Sequence, residues 1–560
     1  YDVRSGLYHR FFQYDKTYDE GCSHNVVQTC AKYGYNGSNV NARVWGHTVS
    51  RDLATWEDWP GINADSQWDA VAVWSGNCAL IDVGNGDDGE HVCIYSAGQH
   101  APCDTGVCAY TTDWIHWRKE GCMLHAPSAF SQTNHDTSIF KVGEQWHILT
   151  AGCTYNGTNR PDLGVRCAGN AQLWTSADLK HIEYAHPLTP GGPNHYWELP
   201  YLLPFDASGR PLANDQMALA ATTALLFSNG TNAYWVGSYD VTMGRFTPAG
   251  AHEFAESGVW SENASVFPFR YAEAGLPPSW PWPRQTQPGD GHVNGSAFGV
   301  NVYYSFNPHM TDRKGSNNGT RRLMWGFLNQ GASGNLSAAV QEGNAPFWQC
   351  AHSLPVSISL HRGGGPRGED SLIQEPIPEL QYLRVPSSYR SYRNVRVDAN
   401  GAGFLPGLTG DALEILATFS VDSNRTSAAS FGLRLRQLPP HFSCDVAWTP
   451  RHARGGGSLS VGAYHGWPAN VLPQPSPSVV ELHIFLDRSV LEVYSGGAAV
   501  SQRCLLSRDA WRHVRTSGEL PSKVATVDAF AIGGEAQLLS LDSWTMHSMY
   551  APVSGGPTRP

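Results

Sequence analysis

Apolar and polar residues alternate along most of this chain in short runs, broken by Asp, Ser, Thr, Gly and Pro. A period near two, with little sign of a longer helical period, predicts strands. Three stretches repeat one pattern: "VWGHTVSRDLATW" (44–56), "VCAYTTDWIHW" (107–117) and "AQLWTSADLKHIEY" (171–184). Each runs from an apolar strand into a Ser/Thr turn and an Asp, then returns through Trp or Tyr, which predicts a hairpin with an Asp-rich turn. Asp52, Asp113 and Asp178 lie roughly sixty residues apart, near the span of a generous four-stranded propeller blade. Residues 1–375 are therefore expected to form a five-bladed β-propeller.

The pattern breaks at "QEPIPELQYLRVPSSYRSYRN" (374–394), where Pro and Ser interrupt the alternation, and residues 376–394 are expected to be a linker. Alternation resumes in "ALEILATFSV", "SFGLRLRQL", "VELHIFLDRSVLEVYSGG" and "AFAIGGEAQLLSLDSWTMHSMY". Several strands with short turns predict a β-sandwich over 395–560. The expected fold class is thus all-β, a five-bladed propeller followed by a C-terminal β-sandwich. Composition agrees: 560 residues suit two domains, and 58 Gly, 36 Pro and only 16% charged residues suit many short strands and turns.

Charge narrows the partners. The formal net charge is −11, and the short basic clusters "RHARGGG" and "HRGGGPRG" sit in Gly-rich stretches, so nucleic acid is not an expected partner. No apolar run reaches the length of a membrane span. Twelve Cys occur with eight N-glycosylation sequons, at Asn36, Asn156, Asn229, Asn263, Asn294, Asn318, Asn335 and Asn424. Together they predict N-glycans and a secreted or other secretory-pathway location. Ten Cys precede residue 351 and two, Cys444 and Cys504, follow it, the even counts that separately closed domains would give. Paired C-x-x-C spacings are lacking, so no zinc or other metal is expected. No signal peptide is visible ahead of Tyr1, and the N-terminal segment is expected to lie outside this sequence.

Two carboxylates stand out. "TNHDTSIF" places Asp136 at a polar turn entering a strand, and "NHYWELPYLLPF" places Glu198 among aromatic and apolar neighbours. Apolar surroundings raise a carboxyl pKa by penalising the anion, which suits a general acid. Converging carboxylates beside Trp suit glycoside cleavage. From the local sequence alone, a turn cap for Asp136 and a salt-bridged strand end for Glu198 explain the residues at least as well.

A wider set of segments shifts that balance. "GLYHRFFQYD", "VWGHTVSRDLATWEDWP", "WSGNCAL", "YWVGSYDVTMGRFTP", "RRLMWGFLNQG", "QEPIPELQYLR", "LHIFLDRSVLEVYSGG" and "SLDSWTMHSMY" resemble, in this order and over nearly the whole chain, glycoside hydrolase family 32. Invertases, inulinases, levanases and related fructosyltransferases make up that family. The resemblance implies the propeller and sandwich, and retaining hydrolysis or transfer of fructosyl units of sucrose or fructo-oligosaccharides, without a cofactor. It implies that Asp136 stabilises the oxocarbenium-like transition state and that Glu198 is the acid/base. It places Gln13, Trp45, Trp74, Ser75 and His135 around the fructose, where packing roles compete for Gln13 and Ser75. Three alternatives stay open: a hydrolase, a fructan-building transferase, and a carbohydrate-binding relative without catalysis.

Departures from the family pattern bear on the last of these. His135 and Thr137 flank Asp136 where the family has Arg and Pro, and His cannot reproduce the fixed fork of Arg. Leu199 and Tyr201 follow Glu198 where the family has Cys and Asp. Residues 272–292 look like an insertion, with Trp280 and Trp282 either bordering the site or packing the surface. Glu492 is expected to be structural, "GGGPRG" lacks the Lys-Ser/Thr of a phosphate loop, and His47 and His125 lack ligand spacing.

Asp2 is a special case. "DVRSGL" resembles the family's nucleophile segment, but Asp2 stands only seven residues before His9, closer than in the family. Asp-Val-Arg-Ser-Gly is also good hairpin-turn chemistry. Asp2 is therefore expected to be a turn residue, with the nucleophile upstream of Tyr1.

Overall fold

The computed structural model of the chain describes residues 1–2, 4–15, 43–69, 72–81, 89–97, 106–125, 135–154, 168–188, 199–212, 217, 224–228, 233–248, 304–307, 321–329, 350–362, 370–398, 405–422, 424–437, 442–450, 457–461, 464–468, 478–488, 490–503 and 524–550. Its regular structure is almost all strand. Among the described residues the only helical turns are Pro378–Leu383 and Pro386–Ser388, both 3-10. None forms a helix long and apolar enough to cross a membrane. The described residues group into two compact units, the first reaching to residue 323 apart from 52–55, the second holding 52–55 and everything from Met324.

Antiparallel sheets follow one another in chain order. The first contains Tyr8–Asp15, Arg43–Ser50 and Glu57–Ile62. The second contains Gly76–Ile81, Glu90–Tyr95, Val107–Thr111 and Arg118–Glu120. The third contains His135–Val142, Gln145–Thr154, Ala168–Ser176 and Glu183–Pro187. The fourth contains Tyr201–Pro204, Ala224–Ser228, Ala233–Asp240 and Arg245–Pro248. A fifth orders Tyr304–Asn307, Arg322–Asn329, Val356–His361 and Ser371–Pro376, with Cys350–His352 paired onto its second strand.

Neighbouring sheets pack face to face. Trp45 and Ile62 of the first share a core with Cys93, Tyr95, Val107 and Ala109 of the second. Val92, Ile94 and Tyr110 of the second pack on Ile139, Ile148 and Trp174 of the third. Phe140, Leu149 and Leu173 of the third pack on Leu202, Tyr239 and Phe246 of the fourth. A sheet covered on both faces needs strands apolar on both sides. Val107–Thr111 is accordingly buried throughout, whereas the outermost strand of the third sheet, Glu183–Pro187, alternates between exposed and half-buried.

The expected Asp turns are real and share one construction. Asp52 Oδ1 accepts the amides of Ala54 and Thr55 at 2.9 and 2.7 Å. Asp113 accepts those of Ile115 and His116 at 2.9 and 2.8 Å, and Asp178 those of Lys180 and His181 at 2.8 Å each. The residue after each Asp turns left-handed, with φ of 63° at Leu53, 63° at Trp114 and 57° at Leu179, and buries its side chain. Asp240 repeats the amide contacts, to Thr242 and Met243.

The cysteine expectation needs one correction. Cys78 and Cys93 are disulfide-bonded across directly paired strands of the second sheet, and Cys122 and Cys444 are also in disulfides. Cys108, however, is a free thiol. Its strand is buried on both faces, so its side chain packs with Val92 and Ile139 as a small hydrophobe, and burial pushes the thiol up to about 12.

In the second unit two six-stranded sheets follow. One is ordered Arg390–Val397, Ala536–Thr545, Ala412–Ser420, Val479–Asp487, Val490–Ser495 and Ala498–Arg503. The other is ordered Thr409–Gly410, Ala525–Ile532, Ser430–Gln437, Phe442–Pro450, Gly457–Val461 and Tyr464–Pro468. Phe419 of the first meets Phe431 of the second at 5.3 Å between ring centroids, both fully buried, as the core of two stacked sheets requires. Glu492 is buried, accepting the Leu354 amide and the Tyr494 hydroxyl at 2.9 Å each, the structural role expected of it.

Candidate active site

The first strands of the second, third and fourth sheets begin close together. Ser75 immediately precedes Gly76–Ile81, Asp136 is the second residue of His135–Val142, and Leu199 and Pro200 precede Tyr201–Pro204. Short polar contacts join these starts. Leu199 donates its amide to Asp136 Oδ2 at 3.3 Å, the Ser138 hydroxyl donates to the Pro200 carbonyl at 2.6 Å, and the Thr137 hydroxyl donates to the Ile94 carbonyl. Ser75 also hydrogen-bonds to the Asp136 carboxyl, and Gln13 Nε2 donates to Ser75 Oγ at 2.9 Å.

Local geometry holds each part. The strand containing Asp136 slips register between His135 and Ser138, a bulge that re-aims side chains. Asp136 itself sits at φ 59°, a left-handed conformation that Asp tolerates better than most residues. Leu199, facing it, is also left-handed at φ 50°. Ser75 is fixed by its neighbours: Trp74 donates its amide to Ser96 O at 2.8 Å, and Ser96 returns its amide to Ser75 O at 3.3 Å. The following residue must be glycine, because a Cβ on Gly76 would stand 2.2 Å from the Ile94 carbonyl oxygen.

Asp136 is the buried carboxyl of this cluster. Burial raises its pKa to about 6, against the lowering effect of the Leu199 amide and the Ser75 hydroxyl. A carboxyl so placed is a carboxylate at neutral pH, able to accept hydrogen bonds or face a developing positive charge, and it becomes neutral in mild acid.

The other expected site residues distribute unevenly. Gln13 is exposed and Ser75 half-buried, both in contact with the cluster as described. Trp45 is buried in the core between the first two sheets, and its indole N–H donates to the Trp74 carbonyl at 2.8 Å. Trp74 itself is half-buried. His135 lies on the strand of Asp136, paired with Ala151. Glu198 lies outside the described residues, as do Trp280, Trp282 and the sequons at Asn36, Asn156, Asn229, Asn263, Asn294, Asn318 and Asn335. Asn424 is exposed in a turn, its amide donating to Asp422. Ser138 did not stand out in the sequence, although the paired hydroxyls of "DTS" just before an apolar strand were a usable signal.

Asp2 is placed elsewhere. It closes a turn by bridging to Leu7, accepts the Arg4 amide at 2.9 Å, and is buried against Trp114, whose indole donates to it at 3.3 Å. This turn enters Tyr8–Asp15 at its start, whereas Gln13 reaches Ser75 five residues along. At about 3.4 Å per residue, that is roughly 17 Å of strand between the Asp2 turn and the Asp136 cluster.

Known proteins share this organisation. Residues 32–265 match the family model described as glycosyl hydrolases family 32 N-terminal domain, and residues 379–516 match that described as glycosyl hydrolases family 32 C terminal. The levanase of Bacillus subtilis (strain 168) is 24% identical over 516 residues, covering 88% of this chain and 61% of the levanase. An acid beta-fructofuranosidase of Vicia faba is 22% identical over 434 residues, covering 74% of this chain and 54% of its own. The chain thus spans little more than half the length of these relatives. Fructan 1-exohydrolase IIa from Cichorium intybus superposes with a TM-score of 0.65 at 15% identity, covering 97% of this chain and 94% of that one. That likeness shows the fold, a propeller followed by a C-terminal β-sandwich.

Proposed function

The chain belongs to glycoside hydrolase family 32, and on that premise we propose that it is a β-fructofuranosidase-like enzyme. It would cleave fructosyl units from sucrose or short fructans by retaining double displacement. The observation that carries this reading is the convergence of Ser75, Asp136 and Leu199 at the starts of the first strands of three consecutive sheets, around the buried Asp136 carboxyl.

In the proposed reaction Asp136 accepts hydrogen bonds from fructosyl hydroxyls and faces the oxocarbenium-like charge as a carboxylate. Glu198, next to Leu199 in the chain, protonates the leaving oxygen and then activates water. Gln13, Trp74, Ser75 and His135 border the fructosyl unit, and Trp45 supports Trp74 from behind. The attacking carboxylate is proposed upstream of Tyr1, because Asp2 belongs to a turn at the far end of its neighbouring strand. It should stand about 5–5.5 Å from the acid/base carboxyl if configuration is retained.

Residues 1–375 are proposed as the catalytic propeller of five blades, 376–394 as the linker and 395–560 as the sandwich. The sequons and disulfides support a glycosylated protein of the secretory pathway. The test is fructose release from sucrose by the full-length protein, with Glu198→Gln as control. Release abolished by the substitution supports hydrolysis. Binding of sucrose without release by either protein would favour the carbohydrate-binding alternative, and longer products at high sucrose would favour the transferase.

A further inference from the structure

The turn carrying Asp136 and the segment carrying Leu199 make reciprocal hydrogen bonds. In one direction the Leu199 amide donates to Asp136 Oδ2 at 3.3 Å. In the other, two residues on from Asp136 and one on from Leu199, the Ser138 hydroxyl donates to the Pro200 carbonyl at 2.6 Å. Asp136, Ser138 and Leu199 are all buried. Both left-handed residues of the cluster, Asp136 and Leu199, are held within this pair of bonds.

The chemistry of Pro200 makes the second bond hard to replace. Proline has no backbone N–H, so its carbonyl is the only backbone group by which a neighbour can grip it. Ser138 sits just past the bulge in its strand, where the ladder to Gln145–Thr154 regains register at Ser138 and Leu149. Its hydroxyl therefore projects from a fixed strand onto a segment that joins its own sheet only at Tyr201.

We propose that Ser138 is a positioning residue for the reaction at this site: by gripping the Pro200 carbonyl, its hydroxyl keeps the Leu199 amide on the Asp136 carboxyl. The role rests on the fructosidase reading for its catalytic consequence, though not for its existence. Removing the hydroxyl frees the segment, withdraws a hydrogen bond from the Asp136 carboxylate and raises the pH at which Asp136 ionises.

The experiment compares wild type, Ser138→Ala and Ser138→Thr in the full-length protein, with Ser138→Cys in place of alanine if that variant does not fold. Amide hydrogen exchange is read at Leu199, and sucrose cleavage is followed across pH. Loss of the hydroxyl should speed exchange at Leu199 at least about tenfold. It should lower kcat about ten- to a hundredfold, as a misplaced catalytic group does, with KM changed less than about threefold and the acid limb of the pH profile moved upward. Threonine should restore both readouts. Unchanged exchange at Leu199 in Ser138→Ala overturns the latch itself. Faster exchange with unchanged kcat and pH profile overturns its catalytic role. Inert wild type and inert Glu198→Gln would instead bring down the fructosidase assignment and with it the catalytic role, while Leu199 exchange still decides the latch.

Discussion

His9 and His47 are joined by a 3.0 Å contact between Nδ1 of the first and Nε2 of the second, inside the core of the first two sheets. The directions follow from the partners. The Pro60 carbonyl, 3.1 Å from His47 Nδ1, can only accept, so that nitrogen bears the proton and Nε2 is left to accept from His9. His9 Nε2 lies 3.4 Å from the Ser5 hydroxyl oxygen. This relay tolerates at most one added proton on the pair, because two charged rings would set N–H against N–H at the 3.0 Å contact.

Burial, reinforced at His9 by the nearby His47, lowers the two pKa values to about 3 and about 4, and His91, beside Arg4 and Asp2, is lowered as well. In the unfolded chain these groups titrate near 6.5. The unfolded state therefore binds more protons below that pH, and stability contributed by the neutral rings is present above about 6.5 and lost as pH falls towards 4. Melting temperature should drop over this window in wild type. His9→Phe, which fills the stacking position between His47 and Trp114, should flatten the drop. A melting curve as steep in the variant as in wild type would count against the relay.

Asp2 should behave as a structural carboxylate. Burial raises its pKa, but hydrogen bonds from the Arg4 amide and the Ser5 and Trp114 side chains outweigh this and hold it low. Asp2→Ala leaves the Arg4 amide and the Trp114 indole without their acceptor, at about 1–3 kcal/mol for each buried unsatisfied group. The expected outcome is a clear loss in denaturant stability, with affinity for sucrose or fructose unchanged. Loss of sugar affinity in a variant that remains folded would place Asp2 at the site after all.

Asp136→Asn should separate activity from stability. A buried carboxyl raised to about 6 favours the folded state while protonated, below the ordinary carboxyl value near 3.8, and weakens it progressively as pH rises through 6. The shift is on the order of 2–3 kcal/mol at neutral pH. Asn can still accept the Leu199 amide without that penalty. Cleavage should be lost, while thermal stability at pH 7 exceeds wild type and at pH 4 matches it. Equal stability at both pH values would mean the carboxyl is not strained by burial.

The repeating Asp turns were legible because the signal is local: Asp accepts the amides two and three residues on, so side chain and turn are encoded within four residues. The burial of Leu53, Trp114 and Leu179 just after those Asp residues follows from the same turn. Asp136 was legible only as a residue type in a suggestive motif. Its partners Ser75 and Leu199, and Gln13 beyond Ser75, come from three other sheets, and no period along the chain reports contacts made across sheets. The tasks of Ser138 and Thr137 were opaque for a related reason. Hydroxyl residues entering a strand usually face water or cap a turn, and only the neighbouring carbonyls of Pro200 and Ile94 give these two a specific task. Cys108 misled the count because an even number of cysteines does not reveal which are packed as hydrophobes.

In the second unit, Arg384 should prove the most consequential charge. Its guanidinium makes a two-pronged contact with Glu414, at 2.6 and 2.8 Å, and lies 4.0 Å from the Trp544 ring. His483 Nε2 approaches the same carboxylate at 2.8 Å. Burial pushes the Glu414 carboxyl up, but the hydrogen bonds from Arg384 and His483 outweigh it and leave the pKa below the usual value. Stability from this group is therefore present above the ordinary carboxylate pKa and lost as pH falls below it. Arg384→Met leaves a buried carboxylate short of its cation and should cost about 3–5 kcal/mol at pH 7. At low pH the gap to wild type should narrow, since Glu414 then takes up a proton in both proteins. Pairing Arg384→Met with Glu414→Leu removes the stranded charge and should recover most of the loss, because a buried ion pair replaced by apolar groups of similar volume is often near neutral in stability. Urea denaturation of wild type and the two variants at two pH values measures each step. A double variant no more stable than Arg384→Met would show that Arg384 acts through its packing on Trp544 and not through the charge of Glu414.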